Sequence, residues 1–139
     1  MHAFHRAYFE RVRAHVGAGA GEGRAPSPAG TILDFAPEFV DQIHDGRKLA
    51  TCRSLRHEPS LGSIAAGDIV LATTRGGREV FGALRIDGAS RITFGGVTDE
   101  LARAENLETR ERMRAVLLGF YPDLVDASEL VVYSFRLLR

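Results

Sequence analysis

Two apolar segments joined by a glycine-rich turn constrain the fold of this chain more than any other feature. The segment DIVLATT, residues 68–74, is rich in β-branched residues and is predicted to form a buried strand. The turn RGGRE, residues 75–79, leads into VFGALRID, residues 80–87, so a β-hairpin is predicted here. The next segment, GASRITF, residues 88–94, is predicted either to continue that strand or to pair with it.

The rest of the chain adds short strands and short helices around this hairpin. Thr98 and Thr109 are predicted helix N-caps, and the second of these helices ends before Pro122. The other predicted elements are a strand in TILDFA (31–36), a short helix in PEFVDQIHDG (37–46) opened by Pro37 and closed by Gly46, a strand in KLATCRSL (48–55) and a strand in ELVVYSFRLL (129–138). The order β-α-β-β-β-β-α-α-β lacks the strand–helix alternation of a doubly wound sheet. An α+β fold is therefore predicted, with a small mixed or antiparallel barrel flanked by helices.

Length and composition place these elements in one domain with an N-terminal appendage. The chain has 139 residues, of which 1–30 are predicted to form an amphipathic helix followed by a flexible Gly/Ala/Pro linker, and 31–139 the compact domain. Eighteen basic and eighteen acidic residues give zero net charge, which argues against a generic polyanion binder. No segment approaches the roughly 18 apolar residues of a membrane span, and the N-terminus lacks the apolar core of a signal peptide. A soluble, cytoplasmic protein is predicted.

Metal and nucleotide motifs are not evident in the sequence. The single cysteine, Cys52, excludes an internal disulfide, and the histidines have no tight ligand spacing with further Cys or acidic residues inside the domain. Walker loops, nucleophile elbows and dinucleotide fingerprints are missing from the sequence. We therefore expect neither a metal site nor an organic cofactor.

The stretch HDGRKLATCRSLR, residues 44–56, concentrates positive charge around a Thr-Cys pair. In a regular strand alternate residues share a face, so Thr51 and Arg53 are predicted to point together while Cys52 is buried on the other side. Lys48 has the wrong parity to join Thr51 in an ideal strand. It reaches the same pocket only if it lies in the turn after Gly46, or at a bulge.

The chemistry of this stretch leaves two interpretations open. If Lys48 approaches Thr51, the neighbouring charges of Arg47 and Arg53 lower the pKa of its ammonium, and the neutral amine can act as a general base on the threonine hydroxyl. Otherwise the segment is an ordinary edge strand whose charges are solvated.

Glu105 is a second candidate on a distant predicted helix. It shares a helix face with Leu101, four residues earlier, beside an apolar stripe. It lies either at the solvated border of that stripe or half buried against a cation, for which the basic strand offers Lys48 and Arg53.

At these residues the chain resembles the ASCH family, a branch of the PUA-like superfamily. The matching segments are FVDQIHDGRKLATCR, AAGDIVLATT, FGALRIDGASRITFGGVTDELARAENL and LLGFYPDLVDASELVVYSFRLL, in the family's order over roughly residues 31–139. The resemblance implies a mixed β pseudo-barrel of about five to six strands, flanked by short helices, with a cleft that binds RNA or nucleotides.

The resemblance also implies a set of site residues. Some small family members resemble amidohydrolases that remove the acetyl group of N(4)-acetylcytidine. They use a Lys-x-x-Thr pair and the glutamate of a Glu-Asn dipeptide. Lys48, Thr51 and Glu105 match these catalytic positions, and Arg53 matches a basic residue after the threonine. Arg53 and Arg47 are predicted to bind the substrate.

Two classes of function follow for the same basic cleft. The first is hydrolysis of an acylated nucleoside, with Thr51 or an activated water attacking the acyl carbonyl, and without a metal or cofactor. The alternative is a non-catalytic RNA-binding module, or a ribonuclease that uses Lys48 with Glu105. The expected partner is a nucleoside or RNA-derived small molecule, or RNA itself, and not a membrane.

Overall fold

The hairpin predicted around Gly76 and Gly77 lies within a five-stranded sheet in a computed structural model of the chain. The structure describes residues 31–139. The predicted helix and linker of residues 1–30 lie outside the described residues, so their assignment stays a prediction. The strands are β1 (Ile32–Phe35), β2 (Ala50–Arg53), β3 (Ile69–Thr74), β4 (Glu79–Thr93) and β5 (Glu129–Leu137), and the helices are α1 (Val40–His44), α2 (Asp99–Ala104) and α3 (Arg110–Phe120).

The strand order β1-β3-β4-β5-β2 makes a mixed sheet. β1 pairs with β3 in parallel, whereas β3–β4, β4–β5 and β5–β2 are antiparallel. The sheet curls into a half-barrel, which confirms the predicted mixed pseudo-barrel with short helices. Of the two edge strands, β2 donates a hydrogen bond from the Arg53 side chain to the Asp34 carbonyl of β1, at 2.6 Å.

The segments 80–87 and 88–94 form one long strand rather than two. β4 runs through Gly88, and its pairing with β5 shifts register between Ile86 and Gly88. A Cβ on Gly88 would lie 3.0 Å from the Ser134 hydroxyl, so glycine allows the two strands to approach closely there. The first part of β4 pairs with β3 and the remainder with β5, so this strand carries the sheet around its bend.

Alternating residues of the strands pack in different clusters of the core. On β5, Val131, Tyr133 and Phe135 pack in one cluster, while Leu130 and Val132 pack in a second cluster. Ala50 and Cys52 of β2 join this second cluster, together with apolar residues of α2 and α3. The prediction that Cys52 is buried on the face opposite Thr51 is thereby confirmed.

The caps of α2 and α3 form as predicted. The Thr98 hydroxyl accepts from the Leu101 N–H at 3.1 Å, and the Thr109 hydroxyl accepts from the Arg112 N–H at 3.2 Å. α2 ends at Ala104, whose carbonyl accepts from the Leu49 N–H at 2.8 Å. This bond joins the end of α2 to the segment before β2. Across residues 31–139, no helix has the length and apolar character needed to cross a membrane.

Candidate active site

A cavity of about 470 Å³ opens beside the segment that leads into β2. Its volume lies within the range of small-molecule sites in proteins. It is lined by Asp34, Phe35, Ala36, Phe39, Lys48, Thr51, Cys52, Arg53, His57, Glu58, Glu105, Leu107, Val116, Leu117, Phe120 and Tyr121. Apolar walls with a few charged groups are typical of a site that binds a small organic ligand.

Lys48 enters this cavity because the chain turns before β2 begins. Gly46 has φ +82°, a left-handed conformation that favours glycine, and the Lys48 N–H then donates to the Gln42 carbonyl at 2.9 Å. Lys48 thus precedes the regular strand, as its parity required. Its side chain is 2% exposed, and Nζ lies 4.6 Å from the centre of the Phe39 ring.

Glu105 is the partner of this buried amine. Lys48 Nζ donates to Glu105 Oε1 at 3.2 Å and to the Glu105 carbonyl oxygen at 3.4 Å. Of the two positions considered for Glu105, the structure shows the buried one, with Lys48 as the cation. The second carboxylate oxygen, Oε2, is buried with no hydrogen-bond partner among residues 31–139. A buried acceptor of this kind is costly unless a ligand or water supplies a donor.

Burial brings the pKa values of Lys48 and Glu105 closer together. It lowers the pKa of Lys48, which the Glu105 carboxylate partly restores and the Arg53 charge lowers further. Burial likewise raises the pKa of Glu105, against the opposing effect of the Lys48 ammonium. The predicted lowering at Lys48 therefore has desolvation as its main cause. A proton can move between the two groups at a smaller cost than it could in water.

Thr51 and Arg53 form a second contact in the same cavity. Arg53 Nε donates to Thr51 Oγ1 at 2.9 Å, so the two side chains share a face as predicted. The Arg53 guanidinium carbon lies 5.0 Å from the centre of the Phe35 ring. No hydrogen bond within residues 31–139 joins Lys48 to Thr51 directly. The structure therefore brings four of the five predicted site residues together as two contacting pairs that line one cavity.

Arg47 lies apart from these pairs. Its guanidinium contacts the Asp45 carboxylate at 2.8 Å, and its side chain is 56% exposed. It is not among the residues that line the cavity, and the causes of the lowered pKa of Lys48 do not include it. Its predicted role in substrate binding stays a prediction.

Two cavity residues were not anticipated from the sequence. Glu58 accepts from Arg53 Nη1 at 3.3 Å, and the Tyr121 hydroxyl donates to the other Glu58 oxygen. A buried arginine needs a carboxylate near it, so the burial of Arg53 could have pointed to an acid in the loop after β2. Tyr121 lies 63 residues from Glu58 and gives no local pattern.

A metal centre has no ligand set in the part of the chain that the structure describes. No group of three or more His, Cys, Asp and Glu side chains there lies close enough to hold an ion. The expected absence of a metal and of a cofactor stays a prediction.

Solved structures with the same architecture define the class of fold. The ASCH domain from Lactobacillus crispatus JV V101 superposes with a TM-score of 0.74 at 15% identity, covering 99% of this chain and 95% of that chain. The ASCH structure from Zymomonas mobilis gives a TM-score of 0.54 at 14% identity, covering 76% and 65% of the two chains. The half-barrel is therefore an ASCH fold of the PUA-like group.

Sequence similarity then establishes the family. No protein-family model matches the chain. The N(4)-acetylcytidine amidohydrolase of Citrobacter koseri is 30% identical over 106 residues, which are 76% of this chain and 95% of that protein. The chain belongs to the ASCH domain family, and this amidohydrolase is one of its relatives.

Proposed function

We propose that this protein hydrolyses the amide bond of an acylated nucleoside such as N(4)-acetylcytidine. The observation that carries the proposal is the buried Lys48–Glu105 pair, which lines the same cavity as the Thr51 hydroxyl. Such a pair supplies a proton acceptor in the same cavity as a hydroxyl nucleophile, and amide hydrolysis through an ester intermediate uses both groups. The activity of the Citrobacter koseri relative supports the choice of substrate.

The first half of the reaction transfers the acyl group to the protein. Lys48 acts as a neutral amine, its proton having passed to Glu105 or to solvent, and takes the hydroxyl proton of Thr51. The Thr51 oxygen bonds to the acyl carbon, and the carbonyl electrons move to oxygen. When this intermediate collapses, the C–N bond breaks and the exocyclic nitrogen takes the proton from Lys48. Cytidine leaves, and an ester remains on Thr51.

The second half regenerates the hydroxyl with water. Lys48 takes a proton from the water, which attacks the ester carbonyl, and the Thr51 oxygen leaves with that proton to release the acid. In a direct variant of this route, water held by the free oxygen of Glu105 attacks the amide without an ester intermediate. Both routes use side chains and water alone.

The remaining polar groups have distinct roles in this scheme. Arg53 Nε, already on the Thr51 oxygen, stabilises the negative charge that develops there as the proton leaves. Glu105 Oε2, which has no partner among the described residues, accepts a hydrogen bond from the substrate amide N–H or from water. Phe120 lies exposed in the cavity lining and offers an apolar surface to the pyrimidine ring.

Release of cytidine from N(4)-acetylcytidine by the purified protein tests this proposal. Thr51→Ala and Lys48→Ala should each lose at least about a hundredfold in kcat, because each removes a participant in bond making. The control is Arg112→Ala, which removes an exposed cation paired with Glu108. Full activity in both site variants would contradict the proposal. RNA binding that weakens steeply with salt and survives Thr51→Ala, without deacetylation, would favour a binding module.

A further inference from the structure

We propose that Glu58, on the loop after β2, is a positioning residue that holds Arg53 on the Thr51 hydroxyl. This role rests on the proposed function of the cavity and adds to it a residue outside the Lys48–Thr51–Glu105 set. Glu58 lines the cavity, and one of its oxygens contacts Arg53 while the other accepts from Tyr121.

The contacts of Arg53 show why it needs this carboxylate. Its Nε donates to Thr51, its Nη2 donates to the Asp34 carbonyl at 2.6 Å, and its Nη1 lies 3.3 Å from Glu58. The Arg53 side chain is 10% exposed, and a guanidinium stays charged at all relevant pH values. Among residues 31–139, Glu58 is its only ion-pair partner. Without Glu58 the charge would be buried and unpaired, and the side chain would gain by turning toward solvent.

The position of Arg53 sets the state of Thr51. Because the Thr51 oxygen accepts from Nε, its own hydrogen is free to be donated to a base. The positive charge beside the oxygen favours the alkoxide that forms during attack. If the Arg53 side chain leaves this position, Thr51 loses both the hydrogen bond that orients its hydroxyl and the charge that stabilises its alkoxide.

A built support holds Glu58 at the rim of the cavity. Tyr121, at the end of α3, donates its hydroxyl to Glu58 and packs its ring against His57, with centroids 4.9 Å apart. His57 in turn bonds the Ser54 hydroxyl at 2.6 Å and the Asp123 carboxylate at 2.8 Å. The Ser54 end of this Ser-His-Asp series is 1% exposed, and Ser54 is not among the residues that line the cavity of Thr51. The series ties the loop that carries Glu58 to the segment after α3.

Kinetics of Glu58 variants test the role against a structural one. Glu58→Ala should lower kcat on N(4)-acetylcytidine by about 10-fold to 100-fold with little change in KM. Glu58→Gln keeps a hydrogen-bond acceptor for Arg53 but not the countercharge, so it should recover only part of that loss. In an Arg53→Met background, Glu58→Ala should cost nothing further, since Glu58 acts only through Arg53. The control is Glu79→Ala, which removes an exposed carboxylate paired with Arg75.

A second readout needs no activity. In nitrogen-15 NMR spectra the Arg53 Nε–H of the wild type should exchange slowly with water. Exchange should quicken at least tenfold in Glu58→Ala and by a smaller factor in Glu58→Gln.

These experiments distinguish failure of the proposed hydrolase function from failure of the positioning role of Glu58. If the wild type releases no cytidine but Glu58→Ala speeds exchange of the Arg53 Nε–H with water, the proposed function is wrong and the positioning by Glu58 stands. If the wild type is active and Glu58→Ala leaves both kcat and the exchange rate unchanged, the positioning role is overturned. A rise in KM alone, or losses that multiply with those of Arg53→Met, would also overturn it, because they would indicate direct contact with the substrate.

Discussion

Replacing Glu105 with glutamine should destabilise the protein by leaving the Lys48 ammonium buried without a countercharge. The two side chains are 2% and 6% exposed, and their charged atoms lie 3.2 Å apart. Glutamine keeps the size of the side chain and an oxygen that can accept from Nζ, so the variant removes little besides the charge. Breaking a buried pair in this way costs roughly 3–5 kcal/mol.

The free energy needed to remove the Lys48 proton, which depends on pH, sets an upper limit on this loss of stability. Lys48 can avoid being buried as an unpaired charge by losing its proton. From an ordinary pKa of 10.5, this deprotonation costs about 5 kcal/mol at pH 7 and about 2 kcal/mol at pH 9, at about 1.36 kcal/mol per pH unit. Burial lowers the pKa of Lys48 in the folded state, so the unfolded chain binds more protons between the folded pKa and 10.5. Stability therefore rises with pH in that window. Glu105→Gln removes the carboxylate that partly restores this pKa. The stability that the variant loses relative to the wild type should therefore become smaller as pH rises.

Urea unfolding at pH 7 and at pH 9 measures both quantities. The matched control is Glu108→Gln, whose carboxylate lies 3.0 Å from Arg112 but is 74% exposed, and which should lose about 0.5 kcal/mol or less. A loss in Glu105→Gln no larger than in this control would refute the reasoning. A loss that is the same at both pH values would refute its electrostatic origin.

Four further predictions concern a helix cap, a buried hydroxyl and the pH dependence of the site. Thr109→Ala should lose about 1 kcal/mol in urea unfolding, because the Thr109 hydroxyl caps α3. Tyr133→Phe should lose about 1–2 kcal/mol in the same assay, because the Tyr133 hydroxyl donates to the buried Leu61 carbonyl. The deacetylation rate should rise with pH, as Lys48 loses its proton, with a midpoint below 10.5. Arg53→Met should raise that midpoint in the pH–rate profile, because the charge of Arg53 lowers the pKa of Lys48.

Local patterns in the sequence predicted the parts of the site that depend on the period of a strand. Thr51 and Arg53 share a face and Cys52 packs in the core, since side chains alternate along β2. The same rule showed that Lys48 needed a turn, and the glycine at position 46 supplies it. The helix caps followed similarly from hydroxyl side chains before helical segments.

Contacts between distant segments could not be predicted in the same way. Lys48 and Glu105 are 57 residues apart, and they are brought together by the bond between the end of α2 and Leu49 and by the packing of β2 against the helices. The parallel pairing of β1 with β3 likewise depends on the whole topology. The sequence left open whether residues 88–94 continue the preceding strand or pair with it; they continue it, and Gly88 allows a close approach to β5.

The most direct measurement is the amount of cytidine that the purified protein releases from N(4)-acetylcytidine, compared with the double variant Lys48→Met/Glu105→Gln. This variant removes both charges, so it should recover most of the stability that Glu105→Gln loses and remain folded. We predict that the wild type forms cytidine and acetate in equal amounts and that the folded double variant forms neither at a measurable rate. Release at the wild-type rate by the double variant, or no release by the wild type, would contradict catalysis by this pair.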